Sequence, residues 1–71
     1  MKIFIKRLKL LRKQKNITQK QLAENLEIAE RTIRSYEIGE NVPTLESFIK
    51  IADFFDVSLD YLTGRKDTPD I

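Results

Sequence analysis

Side chains able to do chemistry are unevenly spread along these 71 residues. There is no histidine and no cysteine. That removes the usual general base near neutral pH, the commonest metal ligand, thiolate chemistry and disulfides. Carboxylates are present, but without a recurring acid cluster, and no phosphate loop accompanies the lysines. An enzyme is therefore not expected, nor a metal or cofactor. What remains is cationic hydrogen-bonding chemistry. Residues 1–20 carry Lys2, Lys6, Arg7, Lys9, Arg12, Lys13, Lys15 and Lys20 and no acid, whereas residues 41–71 carry three basic and six acidic side chains, a net of −3. One end can meet a polyanion that the other repels. The basic run alone fits nucleic acid, an anionic membrane surface or a merely solvated helix. The other cationic concentration is Arg31 with Arg34, three residues apart and flanked by Ser35, a spacing that puts them on one side of a helix.

The elements that must position these groups follow from length and periodicity. A hydrophobic fraction of 41% in 71 residues supports one small core. No apolar run approaches membrane-spanning length, and the start has no cleavage site after an apolar stretch; an intracellular setting fits. Phe4, Leu8, Leu11 and the stem of Lys15, widened by Ile5, predict a helix over 4–15, with Leu10 at its edge and Asn16 as a left-handed stop. Thr18-Gln19-Lys20-Gln21 reads as a capping box, with Ile17 and Leu22 as a hydrophobic staple and Leu22, Ala23 and Leu26 facing inward. A third helix is expected over 30–37, with Ile28, Ile33 and Tyr36 on the buried side, Ala29 a poor cap and Gly39 the stop. Thr44 caps a fourth, whose stripe is Leu45, Phe48, Ile49, Ala52 and Phe55. Ser58 caps a short fifth ending at Gly64, and residues 65–71 read as a frayed polar tail. The economical solution is all-α, five helices on one core, with a single domain over 1–64.

Only Glu27, Ile28 and Ala29 separate the second and third helices, which forces a turn and leaves the third helix one outward side. A protruding helix fits the major groove of B-form DNA, with the second helix lying across the backbone, its amino end toward phosphate. From periodicity alone an αα-hairpin used as scaffold is an equal alternative.

The order Ile17-Thr18-Gln19-Lys20-Gln21-Leu22-Ala23, then Leu26, Ile28, Thr32-Ile33, Tyr36-Glu37 and Gly39, then Pro43-Thr44-Leu45-Glu46, Ile51-Ala52 and Val57-Ser58-Leu59-Asp60-Tyr61-Leu62 resembles the Cro and phage-repressor-like, or XRE-like, helix-turn-helix family over residues 5–64. The resemblance implies a compact five-helix repressor-like DNA-binding domain acting as a homodimer on palindromic operators. It implies DNA contacts from Thr18, Gln19 and Lys20, from Glu30, Arg31, Thr32, Arg34 and Ser35 on the reading helix, and from Asn41, Arg12 and Lys13. Arg31 is the base reader, since an arginine can bond guanine O6 and N7 together. Gln19 bonds phosphate and braces its neighbour. Arg12 and Glu37 match a family ion pair, and Val42, Pro43, Leu59, Tyr61 and Leu62 the region of dimer contact. The family often has glycine at Glu27, serine or threonine at Ala29, asparagine at Ile38 and basic residues near Glu40, so affinity or operator choice is expected to differ here.

The function expected is a sequence-specific, double-stranded DNA-binding transcriptional regulator of bacterial or phage type. It is cytoplasmic, a repressor, and needs no membrane. The alternative is an antitoxin-like or other helical protein-interaction module that retains the fold, with a protein partner.

Overall fold

Helix α1 spans Lys2–Gln14 in the computed structural model, which describes all residues from Met1 to Ile71. It begins two residues earlier than periodicity suggests, because no breaker precedes Phe4. Phe4, Leu8 and Leu11 face inward, Arg12 and Lys13 occupy the last turn, and Asn16 adopts φ 57° just beyond the end. The cations suit the negative end of the helix. Lys15 lies outside the helix, exposed, with its Nζ 5.3 Å from the centre of the Phe54 ring.

Helix α2 spans Gln19–Leu26, and its capping box is complete. The Gln21 amide donates to Thr18 Oγ1 at 3.0 Å, and the Thr18 amide donates to Gln21 Oε1 at 2.9 Å. The helix closes at Glu27 with φ 58°, and the Ile28 amide donates back to the Ala23 carbonyl at 3.0 Å. This six-residue closure leaves Glu27 in the left-handed region, so the backbone tolerates there a residue with no glycine-like freedom.

Helix α3 spans Glu30–Ile38, one residue longer than expected. Ala29 provides no side-chain cap, as its methyl dictates, while Glu30 sits in the first turn. Gly39 ends the helix at φ 84°, where an added Cβ would lie 3.1 Å from the Ile5 side chain. The left-handed conformation favours glycine there, and a side chain would also have to push the Ile5 methyl aside.

Helix α4, Leu45–Phe55, starts at Thr44, whose hydroxyl accepts from the Ser47 amide at 3.2 Å. Its buried residues are Phe48, Ile51, Ala52 and Phe55. The expected stripe is thus corrected on one flank. Leu45 and Ile49 are 70% and 42% exposed, whereas Ile51 is fully buried. Both sets have helical spacing and share three members; only the neighbours decide which flank turns inward. Helix α5, Leu59–Thr63, is capped by Ser58, which accepts from the Tyr61 amide at 3.0 Å, and it ends at Gly64.

The five helices share one core in which Phe4 packs edge-on against Phe48 and Tyr36, with centroid separations of 4.9 and 6.2 Å. Residues 65–71 have no regular structure and lie against the body of the domain. The Arg65 amide donates to the Asp60 carbonyl at 2.8 Å and the Ser58 amide to that of Pro69 at 3.2 Å. From α1, the Arg7 guanidinium stacks 4.2 Å from the centre of the Tyr61 ring and donates to the carbonyls of Tyr61 and Lys66. One arginine thereby ties the first helix to the last and to the segment after it.

Candidate nucleic-acid interface

The outward side of α3 is set by what its inward side must bury. Ile33 and Tyr36 enter the core, and Glu37, only 4% exposed, is held by a polar cluster. Arg12 Nε donates to Glu37 Oε2 at 2.6 Å, and Arg12 Nη2 donates to Oε1 at 3.0 Å. The remaining guanidinium nitrogen donates to the Ile17 carbonyl at 3.0 Å. Gln19 Nε2 adds a bond to Glu37 Oε1 at 3.1 Å. The hydrogen bond to Glu37 raises the Arg12 pKa above its ordinary value; burial opposes this and the carboxylate's charge adds to it. Such a group contributes stability below its unfolded pKa and loses it only as pH rises through the higher folded one, so the pair keeps its cation at every pH a protein meets. The ion pair expected between Arg12 and Glu37 therefore exists, and it locks α1, α2 and α3 together.

Fixed this way, α3 turns Arg31 and Arg34 to solvent, with Thr32 and Ser35 half-buried between them and the body of the domain. These four side chains line one shallow depression together with Asn41, Ile38 and Glu40. Asn41 Nδ2 donates to Ser35 Oγ at 2.5 Å, so the loop after α3 is fastened to the helix. Neither Arg31 nor Arg34 is ion-paired, since the three salt bridges involve Arg7, Arg12 and Arg65. Glu30, exposed at the start of α3, consequently does not orient either arginine in the free chain. Two uncompensated guanidinium groups beside amide and hydroxyl groups can bond anions and base edges. Glu40 opposes anions at the same rim.

The remaining expected residues fall into three groups. Thr18 and Lys20 stand at the exposed amino end of α2, where backbone donors point outward, but the Thr18 hydroxyl is occupied by its cap. Gln19 spends one amide hydrogen on Glu37 and keeps the other. Each Arg12 side-chain nitrogen already donates one hydrogen bond, leaving one N–H on each of Nη1 and Nη2, and Lys13 lies on the outward face of α1 with Lys2, Lys6 and Lys9, outside the lining of the depression on α3. Among the residues expected at a dimer contact, Pro43, Tyr61 and Leu62 are buried within their own chain and have no surface to offer. Val42 is 57% exposed and Leu59 is half-buried. The sequence reading marked Ile38 as a departure from the family but did not include it among the contact residues. It is 58% exposed and follows Arg31 and Arg34 at helical spacing, the signal that would have found it.

Comparison with known proteins agrees with this geometry. The family model described as helix-turn-helix matches residues 8–62. An uncharacterized HTH-type transcriptional regulator of Bacillus subtilis, YobD, is 38% identical over 68 residues, covering 96% of this chain and 61% of that protein. The cryptic phage CTXphi transcriptional repressor RstR of Vibrio cholerae is 44% identical over 54 residues, covering 76% of this chain and 48% of its own length. A transcriptional regulator from Listeria innocua, solved by crystallography, superposes with a TM-score of 0.80 at 36% identity, covering 86% of this chain and 57% of that one. The chain thus spans about half to three-fifths of the length of these relatives.

Proposed function

The chain belongs to the Cro/XRE-like helix-turn-helix family of transcriptional regulators, and from that premise we propose that it reads specific double-stranded DNA by seating α3 in the major groove. The observation that carries the reading is the pair of exposed, unpaired arginines, Arg31 and Arg34, sharing one depression with Ser35 and Asn41. Arg31 bonds a guanine, Arg34 a base or phosphate, and Ile38 meets a thymine methyl. Lys20, the second amide hydrogen of Gln19 and the amino end of α2 hold the backbone.

One such domain covers little DNA, and a two-fold homodimer matches half-sites about 34–36 Å apart on a palindromic operator. Exposed apolar side chains at Val42, Leu45 and Ile49, beside half-buried Leu59, support that partner surface. The action proposed is repression in the cytoplasm, by occupying the operator.

A second reading, a protein-interaction module that kept the fold, draws on Glu30 at the start of α3 and Glu40 at the rim of the depression. Selection of duplexes from a random pool, followed by salt titration against a scrambled duplex, separates the two. Specific binding loses affinity steeply with salt yet stays tighter than the control. Arg31→Ala is expected to relax preference at one base pair per half-site by about 1–3 kcal/mol. Lys20→Ala weakens all duplexes alike. Equal affinity for selected and scrambled DNA at every salt concentration sinks the reading.

A further inference from the structure

The turn that ends α3 brings two polar side chains together inside the depression on that helix. Gly39 closes the helix at φ 84°, and the Glu40 amide turns back to donate to the Ser35 carbonyl at 3.0 Å. That closure carries the next residue, Asn41, back over the helix, where its Nδ2 donates to Ser35 Oγ at 2.5 Å. Two consecutive loop residues therefore hold Ser35, one by its main chain and one by its side chain. The hydroxyl still has its own hydrogen to give. A helical hydroxyl can give it to the carbonyl one turn back, as Thr63 does to that of Leu59 at 2.8 Å. Ser35 makes no such bond, and Asn41 is its side-chain partner.

The direction of the Asn41 bond decides what the serine shows to a ligand. An unattached hydroxyl both donates and accepts, so it matches any base edge. Here one lone pair is engaged by the Asn41 amide, and the hydrogen is turned away from Asn41. The guanidinium groups of Arg31 and Arg34, which line the same depression, carry donors only. A base amino group brought to this place would meet donor against donor. Keto groups, guanine O6 and thymine O4, accept, whereas amino groups, cytosine N4 and adenine N6, donate. Every base pair has one of each, so a donor at a fixed place in the groove tells a pair from its reversal. We propose that Asn41 is a positioning residue that presents the Ser35 hydroxyl as a hydrogen-bond donor, so that Ser35 selects a keto base, guanine or thymine, over an amino base at one position of the DNA site. This rests on α3 entering the major groove. Asn41 acts through Ser35 and requires no DNA contact of its own.

The test selects duplexes from a random pool with the unsubstituted full chain and with Ser35→Ala, Asn41→Ala and Asn41→Asp. Ser35→Ala identifies the base pair concerned, because preference relaxes there and nowhere else. At that pair the unsubstituted chain is expected to favour the keto base about fivefold to tenfold, the worth of one hydrogen bond. Asn41→Ala should bring this below about twofold, with the other positions unchanged. Asn41→Asp keeps the shape but offers only acceptors, which turns the Ser35 hydrogen inward. Its charge weakens every duplex, yet the preference at this one pair should reverse to the amino base, a change that a merely structural residue would not produce. In the DNA-free chain, Ser35→Ala should shift the NMR signals of the Asn41 side-chain amide. Both residues lie outside the core, so the variants are expected to fold. If the unsubstituted chain selects no sequence, base reading itself fails and this proposal falls with it. If a sequence is selected, the proposal alone is overturned by an amino preference at this pair, or by a keto preference that survives Asn41→Asp. It is equally overturned if Ser35→Ala changes no position or leaves the Asn41 amide signals unmoved. Asn41→Ala weakening all duplexes alike with the preference intact also overturns it, and assigns Asn41 to phosphate.

Discussion

Glu37 is the residue on which the geometry of the interface turns. It is a carboxylate 4% exposed, accepting three hydrogen bonds from Arg12 and Gln19. Removing either partner of such a pair leaves a charge poorly solvated, but the two removals are unequal. The Arg12 side chain retains 15% exposure, so water can reach it, whereas Glu37 is sealed. Arg12→Met should therefore cost about 3 kcal/mol, and Glu37→Gln about 1–2 kcal/mol, since the amide still bonds its neighbours. Chemical denaturation of both variants checks the order, and a larger loss for Glu37→Gln contradicts this account. At this scale the sequence was legible where a residue's partner is implied by family resemblance, as for Arg12 with Glu37. It was silent on Arg7, whose contacts with Tyr61, Lys66 and Asp67 span more than fifty positions and leave no local pattern.

Among the elements, what local chemistry specifies was readable and what packing decides was not. The capping box at Thr18, the caps at Thr44 and Ser58 and the stop at Gly39 each follow from a few adjacent residues. The choice between Ile49 and Ile51 for the inward side of α4 does not, because both complete a helical stripe and only the neighbouring helices choose between them. Left-handed closures fall between these cases. Asn16 was legible as one, Glu27 only as a position needing tolerance, and Asp56, at φ 56°, carried no sign. Glu27 bears the strain of a left-handed backbone with an ordinary side chain, at the turn that aims α3. Glu27→Gly should relieve it, for a net gain of about 0.5–1 kcal/mol after glycine's greater freedom in the unfolded chain is counted. Thermal unfolding is the measurement, and a loss of stability would mean that the Glu27 side chain makes a compensating contact in solution.

For the whole molecule, the distribution of apolar surface separates folding from assembly. The core takes Tyr61 and Leu62 for itself and Pro43 is buried, while Leu45 and Ile49 on one side of α4, and Val42 in the loop before it, stay exposed. If these form the two-fold contact, Leu45→Lys combined with Ile49→Lys should yield a folded monomer in sedimentation. Its affinity for a two-half-site duplex should fall to that for a single half-site. An unchanged sedimentation coefficient would place the contact elsewhere. A last consequence follows from the amide of Gln19, which gives one hydrogen to Glu37 and holds the other free. Glu37 orients it in the free chain, so the phosphate contact proposed for it would need less further ordering than one made by a free side chain. Disturbing Arg12, which shares the Glu37 carboxylate with this amide, should therefore loosen it and weaken the phosphate contact proposed for Gln19.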